Sequence, residues 1–125
     1  MEIQKEIIAN ALYEETAQKN INFDHGTIEV YVEPANGFSI LMTWMLCDKN
    51  NQTTNVVFFK SVRDYLKSYF KYNASKRIVN KLTIEIKDGK VVNILPSWEQ
   101  SIIDNFYNNL PVSKQKSHIG WYDQE

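Results

Sequence analysis

The dipeptide Asp88-Gly89 separates a run of alternating apolar residues, 82–86, from a second short apolar run, 91–95. Asp-Gly readily supplies the positive φ angles of a type I′ turn, the tight connection that joins two antiparallel strands. Every second residue of the first run is apolar, so one face of that strand is expected to be buried. The sequence therefore predicts a β-hairpin, which commits the chain to an antiparallel sheet.

Three further strands are predicted before the hairpin, after a polar loop at residues 20–26. Residues 27–33 alternate strictly between apolar and mainly polar side chains, which predicts a half-buried strand. Residues 38–47 are apolar on both faces, which is typical of a central strand buried on both sides. Residues 55–59 form a third strand after a polar loop at 48–53. Because the connections are short, these strands are expected to form an antiparallel meander.

Three amphipathic helices complete the predicted elements. The first covers residues 3–17, and the second begins at Ser61. Ser97 and Gln100 have the spacing of a capping box, which predicts the start of the third helix. The expected buried stripes of the second and third helices are Val62, Tyr65, Leu66, Tyr69 and Phe70, and Ile102, Ile103, Phe106, Tyr107 and Leu110.

The order of the predicted elements is α-β-β-β-α-β-β-α, which is typical of the α+β class. We expect an antiparallel sheet of about five strands, with the helices packed on it and covering one face. The sequence contains no internal repeat and no linker. Residues 1–125 are therefore interpreted as a single α+β domain, in which 111–125 form an irregular C-terminal tail.

The composition is that of a folded protein. Hydrophobic residues make up 43% of the chain and aromatic residues 13%, which is more apolar surface than a disordered chain carries. The single cysteine, Cys47, excludes an internal disulfide. The first residues lack the apolar segment of a secretory signal, and no window approaches the ~18 apolar residues of a membrane span. We therefore expect a cytoplasmic protein without a membrane partner.

Candidate catalytic residues are few. A ribonuclease-like enzyme needs a general base and a general acid that exchange protons near neutral pH, and His25 and His118 are the candidates for these two roles. Cys47 ends an apolar strand, where a cysteine is usually a small core residue and not a nucleophile. No spacing of histidine, cysteine or carboxylate residues fits a metal site. The sequence therefore predicts a protein that is not an enzyme and that has no metal and no cofactor.

Charge is distributed unequally along the chain, although the net charge is only −1. Residues 1–48 contain eight acidic and two basic residues, whereas residues 60–81 contain seven basic and one acidic residue. The basic segment suits a nucleic-acid-binding module, which is the alternative function. Its candidate contacts are Lys67, Lys71, Lys76 and Arg77. The aromatic residues among them belong to the expected buried stripe, so an ordinary solvated helix face is the competing interpretation.

Acidic residues surround a tyrosine at the first predicted strand. The candidate partner-binding residues are Asp24, Glu29, Tyr31 and Glu33. Opposite charge accelerates the encounter with a basic protein, and a tyrosine contributes buried area to an interface. An ordinary polar strand face is the alternative interpretation. The leading prediction is a non-catalytic protein-binding protein that has no small-molecule substrate.

The order of the predicted elements resembles that of small bacterial immunity proteins, both the YezG type and those of contact-dependent inhibition systems. The segments that carry the resemblance are residues 3–12, 28–32, 38–46, 56–59, 62–70, 82–86 and 91–95. The resemblance implies a cytoplasmic protein that binds and blocks a cognate toxin protein, often a nuclease. It assigns no functional residue position by position.

Overall fold

A computed structural model describes residues 2–34, 39–54 and 60–109. The elements are α1 (Lys5–Gln18), β1 (His25–Glu33), β2 (Ser39–Cys47), β3 (Thr53–Thr54), α2 (Lys60–Asn73), β4 (Lys81–Lys87), β5 (Lys90–Ser97) and α3 (Gln100–Asn108). The five strands form one antiparallel sheet in the order β3-β2-β1-β4-β5. The predicted α+β class and element order are confirmed.

The central strand is β1, which pairs with β2 on one side and with β4 on the other. Its alternation is confirmed, because Ile28, Val30 and Val32 are at most 1% exposed. These side chains pack in the core with apolar residues of both neighbouring strands and of α1 and α2. The largest buried residues around them are Ile8 and Leu12 of α1, Tyr69 and Phe70 of α2, Leu46 of β2, and Leu82 and Ile84 of β4.

The prediction that β2 is the central strand, buried on both faces, is wrong. β2 lies between β1 and the two-residue strand β3, and Leu46 is its only buried residue. Met45, on the opposite face, is 77% exposed. An apolar side chain can remain in contact with water at modest cost, so apolar residues on both faces do not prove that both faces are covered.

The short edge strand β3 begins earlier than predicted. Thr53 and Thr54 pair with Cys47 and Leu46 of β2, although the sequence placed Thr53 in the loop. The predicted strand at residues 55–59 lies outside the described residues. The boundary before β1 also differs, because the strand begins at His25 and includes Gly26, which was expected to end a loop.

The hairpin is confirmed. Asp88 and Gly89 both have positive φ, at 53° and 74°, and form the two-residue connection between Lys87 and Lys90. A change of register between Glu85 and Ile86 marks a β-bulge in the pairing of β4 with β5. Such irregularities increase the local twist of a strand pair.

Both faces of the sheet carry helices. α1 and α2 cover the face that holds Ile28, Val30 and Val32, whereas α3 contacts β1 beside the opposite face. The expectation that all helices cover one face is therefore wrong for α3. Within the described part of the chain, no helix is both long and apolar enough to cross a membrane.

The start of α3 is set by a residue that precedes β4 and not by the predicted capping box. Ser97 is the last residue of β5, and the N-cap position is Glu99, which makes no side-chain cap. The backbone N–H of Glu99 donates to Oδ1 of Asn80 at 2.7 Å, and Nδ2 of Asn80 donates to the Glu99 carbonyl at 3.0 Å. The hydrogen bonds between Asn80 and Glu99 therefore replace the predicted Ser97–Gln100 capping box at the start of α3.

Asn80 is completely buried, and its backbone is paired as well. Its N–H donates to the carbonyl of Ser97 at 3.0 Å, and its carbonyl accepts from the N–H of Val32 at 3.1 Å. The side chain and the backbone of this one residue thus join β1, the end of β5 and the start of α3. Because an apolar side chain at this completely buried position would leave the N–H of Glu99 without its partner, an apolar replacement is expected to be costly.

Replacement of Asn80 by alanine is expected to lower the free energy of unfolding by about 3 kcal/mol, since two hydrogen bonds are lost and the N–H of Glu99 loses its partner. Urea unfolding at equilibrium measures this change. Asn93→Ala is the matched control: its side chain is exposed and donates to Glu85 at 3.1 Å. The control should change stability by less than about 0.5 kcal/mol. Equal losses in the two variants would contradict the assigned role of Asn80.

Candidate functional site

A groove lies between α3 and the face of the sheet that α1 and α2 leave uncovered. Its volume is about 490 Å³, within the range of about 300–1,000 Å³ that is typical of ligand sites. We call it the acidic groove. It is lined by Glu29, Tyr31, Glu33, Thr43, Lys81, Ile102, Asn105, Phe106 and Asn109.

The sheet side of the acidic groove is built on the odd-numbered positions of β1. Glu29, Tyr31 and Glu33 share one face because side chains alternate along a strand. The pairing register adds one residue from each neighbouring strand. Thr43 of β2 lies opposite Glu29, and Lys81 of β4 lies opposite Tyr31. The centre of the sheet therefore provides a rigid base for these side chains.

The helix side of the acidic groove is one face of α3 and the residue that follows it. Ile102, Asn105, Phe106 and Asn109 are spaced by three, four and seven positions, so they lie along a single stripe of the helix. Ile103 points elsewhere and is only 1% exposed. The burial of Ile103 holds the helix in place, while its neighbours remain available to the groove.

The groove carries more negative than positive charge. Its two carboxylates, Glu29 and Glu33, face one ammonium group, that of Lys81. Lys81 Nζ lies 3.5 Å from Oε1 of Glu29 and 3.9 Å from Oε1 of Glu99, which is near the start of α3. Within the described residues, Glu33 makes no ion pair. The excess of carboxylates suits a cationic ligand.

The structure brings together three of the four predicted partner-binding residues. Glu29, Tyr31 and Glu33 line one groove, whereas Asp24 lies just before β1, five residues from Glu29 and roughly 16 Å away along the strand. There the Asp24 carboxylate lies 3.0 Å from Nδ1 of His25. Its backbone pairs with Cys47 and with Gly89 of the hairpin turn. Asp24 is therefore not part of the acidic groove.

The basic residues of the alternative prediction lie on and after α2. Lys67 and Lys71 are exposed on the side of the helix away from the core. Lys76 Nζ lies 4.6 Å from the centre of the Tyr72 ring, and Arg77 follows the helix with a positive φ of 58°. None of these four cations lines the acidic groove.

The aromatic residues of α2 belong mainly to the core. Tyr69 and Phe70 are buried and meet edge to face, with ring centres 5.4 Å apart. Burial, with a smaller contribution from nearby Tyr65, raises the pKa of the Tyr69 phenol. Tyr72 is 43% exposed and is the aromatic ring beside Lys76. Stacking of bases on Tyr69 or Phe70 would require the core to open.

The candidate catalytic residues lie apart from the acidic groove. His25 stands at the beginning of β1 beside Asp24, and His118 lies outside the described residues. Cys47 is partly exposed at the end of β2. The expectation that Cys47 is a core residue is wrong, because the odd positions of β2 face away from the core. Among the described residues, no group of three or more histidine, cysteine or carboxylate side chains is placed to hold a metal ion.

Sequence reasoning missed Lys81 and the residues of α3. The sequence alone groups Lys81 with the basic segment 60–81. In the structure, β4 places Lys81 beside β1, on the face of the sheet opposite the core. Asn105 and Asn109 are polar residues that flank the apolar position Phe106 at helical spacing. This stripe of polar and apolar residues indicates a groove only once α3 is known to contact the second face of the sheet.

Comparisons with known proteins do not assign the groove. No protein-family model matches the chain, and neither the curated proteins nor the solved structures contain a significant match.

The ion pair between Lys81 and Glu29 should contribute little to folding. Its carboxylate side chain is 42% exposed, and pairs in such positions contribute less than about 1 kcal/mol. A double-mutant cycle of Lys81→Met and Glu29→Gln, measured by urea unfolding, should give a coupling energy in this range. The control cycle pairs Lys81→Met with Glu85→Gln and should give almost none. A coupling above about 2 kcal/mol would make the pair a structural element of the sheet.

Proposed function

We propose that this chain is a non-catalytic protein-binding protein, and most concretely an immunity protein that neutralises a cognate bacterial toxin domain in the cytoplasm. One observation carries the proposal: Glu29, Tyr31 and Glu33 converge with one face of α3 in a single groove. The groove combines carboxylates with exposed parts of aromatic rings. Both features are typical of protein surfaces that recognise basic partners.

The charge of the acidic groove suits the inhibition of a nuclease. An enzyme that binds nucleic acid needs a basic surface to neutralise phosphates. A protein that covers this surface therefore has to present carboxylates in its place. Complementary charge would also accelerate the association, which matters for an inhibitor that must act before its target damages the cell.

Co-expression tests the proposal directly. The C-terminal region of the protein encoded next to this chain is expressed in bacteria with and without it. The expected result is toxicity that this chain relieves, together with co-purification of the two proteins. Toxicity without rescue, or no toxicity, would contradict the immunity function.

Charge reversal tests the site. The variant Glu29→Lys/Glu33→Lys should weaken binding of the confirmed partner at least about tenfold, since it replaces attraction with repulsion in the groove. The control Glu6→Lys/Glu14→Lys changes the net charge equally at exposed positions of α1. Calorimetry or surface plasmon resonance compares the two at matched salt. Equal affinities would show that the partner binds elsewhere.

A second candidate function is nucleic-acid binding through α2. Arg63, Lys67 and Lys71 follow one another at intervals of four residues and are all exposed. Among the described residues, none of the three forms an ion pair, so they present an uncompensated basic stripe. This arrangement favours contact with phosphates without recognition of bases.

Titration of labelled single-stranded RNA and DNA tests this second function. Binding should fall steeply with salt, and Lys67→Ala/Lys71→Ala should reduce the salt slope by about 1.4. Glu29→Gln, in the acidic groove, serves as the control and should leave the slope unchanged. A flat titration at low salt would exclude the nucleic-acid function.

A further inference from the structure

We infer that the acidic groove binds an arginine side chain of its protein partner. This inference rests on the proposed function in one respect, since it assumes that the ligand is part of a protein. It goes further by naming the chemical group that the groove selects. Three properties of the groove favour this group: its unpaired carboxylate, its dispersed acceptors and its aromatic surfaces.

The unpaired carboxylate is that of Glu33. Within the described residues the Glu33 carboxylate makes neither an ion pair nor a hydrogen bond, and Glu33 lines the groove. Glu29, on the same strand face, is already near Lys81. A cationic side chain that enters the groove therefore meets Glu33 as the carboxylate that has no competing cation.

Lys81 does not prevent a second cation from using Glu29. Its ammonium group has two carboxylates within reach, at 3.5 Å for Glu29 and 3.9 Å for Glu99. Lys81 can stay with Glu99 while Glu29 turns towards the ligand. The two cations then face the two carboxylates of the groove and that of neighbouring Glu99, which avoids an unpaired positive charge.

The distribution of acceptors favours a guanidinium group over an ammonium group. Guanidinium spreads five N–H donors over a plane, whereas ammonium concentrates its charge and is more strongly hydrated. The groove presents carboxylates on β1 and amide oxygens of Asn105 and Asn109 on α3. Acceptors on two opposite sides suit a flat donor that reaches both.

The aromatic side chains strengthen this preference. Tyr31 lies between the two glutamates on β1, and Phe106 lines the opposite side of the groove. Guanidinium stacks on aromatic rings and is attracted to their faces, and arginine makes such contacts more often than lysine. The volume of about 490 Å³ also leaves room for the residues that flank the arginine.

Two-dimensional ¹H–¹⁵N NMR of the full chain tests the inference with three small probes. These are N-acetyl-arginine amide, its lysine counterpart, and its citrulline counterpart, which has nearly the same shape but no charge. Arginine should shift the amide signals of Tyr31, Thr43 and Asn105, with an affinity in the millimolar range. Lysine should bind at least about fivefold more weakly. Citrulline should cause no saturable shift.

Three variants locate the binding. Glu33→Gln should abolish the arginine shifts, and Phe106→Leu should weaken arginine binding more than lysine binding. Glu14→Gln, at an exposed position of α1, is the matched control and should bind arginine like the parent chain. Equal affinity for arginine and lysine, a response to citrulline, or no shift at saturating arginine would each overturn the inference.

These outcomes are separable from those of the co-expression test. Arginine binding without rescue from a toxin would leave the groove specificity intact and remove the immunity function. Rescue that depends on Glu29 and Glu33, without arginine binding, would support the immunity function and remove the arginine specificity. It would show a protein-binding groove that recognises its partner by charge alone.

Discussion

The hydrogen bonds of Asn80 connect the parts of this fold that local sequence signals cannot connect. The residue is fully buried, and it pairs with Val32 of β1, with Ser97 at the end of β5, and with both backbone groups of Glu99. Because unpaired polar groups are costly in the interior, this arrangement fixes where the chain leaves the hairpin and enters α3. The position of α3 then creates the acidic groove. A single buried amide thus links the order of the sheet to the surface that we propose for recognition.

Structural features that depend on residues close together in the sequence are predicted correctly. The Asp88-Gly89 turn, the alternation of β1 and the apolar stripe of α2 are all local patterns, and each was confirmed. The errors concern features that other segments decide. Apolar residues on both faces of β2 did not make it central, since Met45 remains exposed. Gly26 lies within β1 and not in the preceding loop. A Cβ atom at this position would stand 2.0 Å from the carbonyl oxygen of Met45, so the close approach of β2 requires a glycine.

In the candidate site, too, local patterns were predicted from the sequence and contacts between distant segments were not. Glu29, Tyr31 and Glu33 could be grouped from the sequence because strand periodicity places them on one face. Asp24 could not be separated from them, since the sequence does not reveal how far a strand face remains continuous. The contributions of Lys81 and Phe106 depend on strand order and on the side of the sheet that α3 occupies. Physical contact between distant segments, and not residue type, determines that part of the groove.

The alternation of β1 has a consequence for how such a protein can diversify. Even-numbered residues of this strand are committed to the core, where changes in volume are poorly tolerated. On the odd-numbered face, Glu29, Tyr31 and Glu33 line the groove and are only partly buried. One strand therefore carries two sets of positions under different physical constraints. Substitutions of Glu29, Tyr31 and Glu33 can therefore alter the charge and shape of the groove, while Ile28, Val30 and Val32 preserve the fold.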